Sequence, residues 1–137
     1  MPWYGWIHPV LAVGTMIYGV RIAQVSVSRL LEWNFPLRQQ RTRTIIFFLL
    51  CVANLVLGFV VNAALRGQGR GVELTFHVPL AFIISGLSLF ATVVTFARPR
   101  RAGEVPGLMK LHPWLVVIPV VGIMTAGFIG LLYAFGI

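Results

Sequence analysis

A chain of 137 residues with 58% hydrophobic and only 10% charged side chains, at a mean hydropathy of +0.90, lies outside the composition of water-soluble domains and belongs in a bilayer. Eleven Lys and Arg stand against three acids, an excess that in a soluble protein would suggest nucleic acid; here loop topology and anionic headgroups account for it, and a nucleic-acid partner is set aside. The one cysteine, Cys51, falls inside an apolar run, which excludes a disulfide framework or thiolate metal cluster within one chain.

The first apolar stretch covers residues 5–28 and opens with "WIHPVLAV". Its uncharged start lacks the basic segment of a cleavable signal peptide, so the helix is expected to be retained. Trp3, Tyr4 and Trp6 would anchor it at one headgroup level, as Trp114 would anchor the last helix at the other. The connection "SRLLEWNFPLRQQRTR" is polar and broken by Pro36. A second span, 44–65, carries Cys51, Asn54, Gly58 and Asn62 along one face. Amides at such positions hydrogen-bond a neighbouring helix more often than a cofactor substituent or quinone carbonyl. After the turn "RGQGRG" comes a third span, 74–97, with "FHVPLAF" near its start; after "RPRRAGEVPGLMK" comes a fourth, 112–136, with "KLHPWLVV" at its start. Each span is near the ~20 residues that cross a hydrocarbon core. The expected fold is all-α: an integral membrane four-helix bundle, up-down-up-down, forming a single domain.

Basic residues set the expected orientation, because those near helix ends tend to stay in the cytoplasm. Arg29, Arg38, Arg41 and Arg43 lie in the first loop, with Arg21 just inside its helix, and Arg98, Arg100, Arg101 and Lys110 lie in the third; the second loop has only Arg66 and Arg70. Both termini are therefore expected outside, periplasmic or lumenal, with a basic cytoplasmic face that attracts anionic lipids. Arg21 can snorkel to pair with a propionate or a lipid phosphate.

Helices one and three then run in the same direction, so His8 and His77 share a side and a depth, whereas His112 stands on the opposite side. A proline follows each within two residues, as suits the first turn of a helix, where a missing N–H costs nothing. Small residues line both histidine faces: Ala12, Thr15, Gly19 and Ala23 below His8, and Ala81, Ser85, Ser88 and Thr92 below His77. Close helix packing explains small residues, and Gly122, Ala126 and Gly130 repeat the pattern in the fourth helix. It does not explain why a histidine heads both rows. A flat macrocycle with axial nitrogen ligands at matched depth explains both. An unliganded interfacial pair and chlorophyll-type pigments, each needing one histidine, remain open at this stage.

Other chemistry finds little footing. Glu32, Glu73 and Glu104 all lie in loops or at helix ends, so the intramembrane acids of proton pumps and ion pathways are missing. Met16, Met109 and Met124 share no helical face with a histidine pair, which argues against copper. There is no phosphate-cradling glycine motif, no nucleophile with a base and no zinc-ligand spacing.

An "HP" opening the first helix, histidines opening the third and fourth, and a basic first loop across four spans resemble the cytochrome b561-like four-helix membrane proteins, most closely their small bacterial and cyanobacterial relatives. The resemblance implies a b-type cytochrome with a haem near each membrane face. His8 and His77 would ligate the outer haem and His112 would supply one ligand of the inner one. The other inner ligand would be expected near the start of helix two, where the chain reads "RQQRTRT", with Arg41 and Arg43 and no histidine. That leaves the inner site lost, served by His112 alone, or rebuilt around an anionic propionate or lipid group. The expected function is a haem b membrane cytochrome moving electrons at or across a bacterial inner or photosynthetic membrane, to or from a quinone or a larger complex. The alternative is an accessory transmembrane subunit of a photosynthetic or respiratory complex, its histidines structural or pigment-binding.

Overall fold

The computed structural model describes residues 3–31, 36–69, 75–97 and 107–135. A 3₁₀ turn, Trp3–Trp6, leads into α1 (Ile7–Leu31); α2 (Leu37–Arg66) and α3 (His77–Val94) follow, and a second 3₁₀ turn, Gly107–Leu111, leads into α4 (His112–Phe135). All four helices are long and apolar enough to cross a membrane, and among the described residues there is no strand. The integral membrane four-helix bundle expected from the sequence is the observed fold.

Helix ends of α1 and α3 shift by two or three residues from expectation, and the largest difference is at the start of α2. Residues 37–43, assigned above to a polar connection, form the first two turns of α2. Pro36 is the true break: its carbonyl accepts from the Gln40 amide at 2.9 Å, and Leu, Arg and Gln that follow are good helix formers. Hydropathy marks where a helix meets lipid, not where it starts. With 30 residues α2 is about 45 Å long, more than the hydrocarbon core, so its basic first turns project beyond it. At the far end of α3 the helix stops at Val94, and the Thr95–Ala97 amides fold back onto the carbonyls of Thr92–Val94.

The helices form a closed ring in which α1 meets α2 and α4, and α3 meets the same two. Their directions follow from side-chain contacts. Gln40, at the start of α2, reaches Ile22 and Ser26 near the end of α1; Arg41 reaches Thr95 just past the end of α3; and His112, first in α4, reaches Ser26. At the other end His8 meets His77 and the late α2 residue Gly58. The topology is up-down-up-down.

Packing is tightest in the His112 half, where Ile22, Phe47, Val94, Met109 and Val116 are all at most 1% exposed. Glycine allows this. A Cβ on Gly19 would meet Phe47 and Val120 at 2.6 Å, and one on Gly122 would meet Ile84 at 2.8 Å. Hydroxyls of Thr15, Ser26, Thr44 and Thr125 return their protons to carbonyls four residues back, so these groups are satisfied within their own helices. Apolar side chains such as Val10, Leu49, Val60, Ile83 and Val121 face outward. Trp3 and Trp6 are exposed at one end and Trp114 at the other, as interfacial anchors would be. Arg70, Arg98, Arg100 and Arg101, which entered the orientation argument, lie outside the described residues, as do Glu32, Glu73 and Glu104.

Candidate functional site

His8 stands in the first turn of α1 and His77 begins α3, with Pro9 and Pro79 in the same first turns. Parallel helices on opposite corners of the ring bring the two imidazoles to one height. Their ring centroids are 6.0 Å apart and their planes cross at 74°. Both line a cavity of about 420 Å³ between the four helices, within the range of natural cofactor sites. Its wall is almost wholly apolar, the polar exceptions being the two histidines, Asn54 and Asn62.

Gly58 of α2 supports His8. A Cβ at that position would meet Cε1, Nε2 and Nδ1 of the ring at 3.2, 3.5 and 3.6 Å, so the imidazole lies against the bare backbone of α2. Nδ1 of His8 is buried without a hydrogen-bond partner. Two turns deeper, Asn54 Nδ2 donates to Thr15 Oγ1 at 2.7 Å and to the Leu50 carbonyl at 2.9 Å, joining α2 to α1. The cross-helix role expected of this amide holds, while its Oδ1 is buried without a partner beside the cavity. Cys51 is buried in the same wall with Ser88 as its neighbour across α3.

The arrangement offers two ring-nitrogen donors, and, against the expectation that the methionines stand apart from the histidine pair, Met16, Met124 and Cys51 line the same cavity. Among the described residues no three His, Cys, Asp or Glu side chains gather where they could hold an ion. A bare metal wants about four ligands, so the pair suits a metal that brings its own equatorial nitrogens.

At the opposite end His112 is fully buried, with Nδ1 3.0 Å from Ser26 Oγ. Gln40 Nε2 donates to the same hydroxyl at 2.6 Å and to the Ile22 carbonyl at 3.2 Å. Ser26 Oγ also lies 2.9 Å from the Ile22 carbonyl, so this one hydroxyl serves the amide, the carbonyl and the imidazole. Where the resemblance called for a second inner ligand, the residue facing Ser26 and His112 is Gln40, 0% exposed.

The three arginines considered as anion contacts all stand at this His112 end, remote from the His8 and His77 pair. Arg41 forks onto the Thr95 carbonyl with Nη2 at 2.9 Å and Nε at 3.3 Å, and its guanidinium lies 4.3 Å over the Phe96 ring. It closes the end of α3. Arg43 is half-buried beside Tyr18, and Arg21 is exposed. Polar residues described at the histidine-pair end include Asn62, in the cavity wall, and Arg66, which ends α2.

Gln40, and the contact of Gly58 with His8, are what sequence reasoning missed at the two sites. The signal was an interior stripe: Gln40, Thr44, Phe47, Cys51, Asn54, Gly58 and Asn62 recur every three or four residues, but starting the helix at residue 44 cuts Gln40 away. Comparison with known protein families, with characterised proteins and with solved structures found no match to this chain.

Proposed function

We propose that this chain is a b-type membrane cytochrome that holds one haem b between His8 and His77 and moves electrons at the membrane. The observation that carries the reading is the 6.0 Å separation of the two ring centroids at the edge of a shared apolar cavity. Two imidazoles on opposite sides of one iron, with metal–nitrogen bonds of about 2 Å, place their ring centres about 6 Å apart. The crossed planes are compatible, since each ring turns about its own metal–nitrogen axis. The glycine-made seat for the His8 ring is a further feature that fits a ligand-bearing imidazole.

In this reading His8 and His77 would hold the haem, which when bound would supply one-electron exchange; a haem held by two imidazoles suits electron transfer rather than oxygen binding. The apolar wall excludes water, and low polarity around the iron is one of the means by which a protein tunes its potential. His112, bonded to Ser26, contributes to the joint of α1, α2 and α4. The reading places both termini outside, in a bacterial inner or photosynthetic membrane, with Arg21, Arg43 and the other basic residues of the opposite end among anionic headgroups, and a quinone or a larger complex as exchange partner.

The test is spectroscopic. Protein expressed with ample haem and purified in mild detergent is expected to show a Soret band and, on reduction, a sharp alpha band. Alanine at His8 or at His77 should remove most of the bound haem, and alanine at His112 should leave it. A colourless wild type overturns the reading, red-absorbing pigment bands would favour the accessory subunit, and equal loss from all three variants would mean two haem sites.

A further inference from the structure

The wall of the histidine cavity is most open on one side. Between α1 and α4 the seam is shut in the half of the bundle remote from the pair, where Val120 packs onto Gly19 and His112 meets Ser26. In the half that holds the pair, residues of both helices line the cavity and face outward at once: Val13 of α1 is 52% exposed, and Met124 and Phe128 of α4 are 54% and 64% exposed. A side chain that lines a cavity while exposed marks its mouth. Helical phase agrees. Val13 lies on the opposite flank of α1 from Tyr18, which neighbours Arg43 of α2, so Val13 borders α4. Two further lining side chains, Trp6 and Phe59, are exposed to a smaller extent, 45% and 43%, and both are held by neighbours. Phe59 and Phe82 pair across the α2–α3 seam at 6.4 Å, and the Trp3–Trp6 turn caps the aqueous end, tied down by Gln68 Nε2 donating to the Tyr4 hydroxyl at 2.6 Å.

Gly127 of α4 also lines the cavity, and no heavy atom stands within 4 Å of where its Cβ would be. It keeps the mouth clear at the depth where a side chain would narrow it.

We propose that the α1–α4 seam is a lateral portal, through which the planar macrocycle enters and leaves the site from the lipid phase rather than from water. The proposal rests on the haem reading above. A porphyrin dissolved in a bilayer presents a flat apolar edge of the thickness that a parted pair of helices admits, and the route from lipid to the imidazoles crosses no polar surface. Entry from water would instead require the N-terminal turn to lift and break its bond to Gln68.

Portal and pocket differ kinetically, because a gate slows passage in both directions whereas a weakened site loses its ligand faster. Apoprotein in lipid nanodiscs is given haemin from vesicles, and uptake is followed by the growth of the Soret band; loss is followed by transfer to excess apomyoglobin. Gly127→Phe, and independently Met124→Trp, should each slow uptake and loss at least about tenfold. Gly14→Phe, equally open but away from the cavity, should behave as wild type in both directions. Unchanged rates in both portal variants, or slower uptake with faster loss, would overturn the portal and leave the haem site standing. A wild type that takes up no haemin would overturn the haem reading and the portal with it.

Discussion

Ser26 Oγ of α1 lies 3.0 Å from His112 Nδ1 of α4 while accepting from Gln40 Nε2 of α2 at 2.6 Å, so one hydroxyl joins three helices. Removing it strands the Gln40 amide and the facing His112 nitrogen, both buried. Ser26→Ala is therefore expected to destabilise the bundle by about 1–2 kcal/mol, the cost of leaving buried polar groups unpaired. The haem spectrum at the other end should be unaltered. Reversible unfolding in mixed micelles, read beside the Soret band, checks both halves; a spectral change without a stability change would place His112 at a ligand site after all.

Gly58 gives the sharpest expectation about His8. Alanine there meets Cε1 of the ring at 3.2 Å, which a few tenths of an ångström of motion relieves, whereas a branched side chain has nowhere to go. Gly58→Ala should retain haem with a shifted spectrum, and Gly58→Leu should lose most of it. Free imidazole offers a discriminating readout. It should restore the six-coordinate spectrum of His8→Gly and do so poorly in His8→Gly combined with Gly58→Leu. Equal rescue in both would show that the glycine merely admits close helix packing.

Four spans, their alternation and the shared height of His8 and His77 were all readable from hydropathy and direction, because each depends only on where apolar runs begin and which way they point. The contacts around those histidines were not. That Gly58 seats His8 depends on how α2 is rotated and shifted against α1, a register set by Gly19 packing on Phe47 and Val120 and by the Asn54–Thr15 bond. Such lateral fits arise from many side chains at once and leave no local pattern. Arg41 shows the same limit. Its charge marked it as an anion contact, but the chain folds back at Thr95 and places a carbonyl and an aromatic face within its reach, and these take the guanidinium.

The Asn54–Thr15 bond lends itself to a double-mutant cycle. Hydrogen bonds between transmembrane helices average about 0.6 kcal/mol and reach about 1.7. Asn54→Leu and Thr15→Val should therefore couple by about 0.5–1 kcal/mol in unfolding free energy. Asn54 also presents its unpartnered Oδ1 beside the cavity, so its single variant should perturb haem binding where Thr15→Val does so less. Strict additivity of the two would mean that the amide is held by the Leu50 carbonyl alone.

Gly19 and Gly14 form a matched pair on one helix. A methyl group at Gly19 would sit 2.6 Å from both Phe47 and Val120, and Phe47 is 0% exposed, so neither neighbour has room to withdraw. Gly19→Ala should cost about 1–3 kcal/mol by overpacking and should part α1 from α4 where the seam is closed. Gly14 has nothing within 4 Å, and alanine there should be neutral or stabilise by up to about 1 kcal/mol through reduced backbone entropy of the unfolded chain. Thermal unfolding of the two variants under identical lipid conditions checks the contrast. If Gly19→Ala were as benign as Gly14→Ala, the tight inner half of the bundle would be looser than these contacts imply, and the distinction between a closed and an open half of the α1–α4 seam would fail with it.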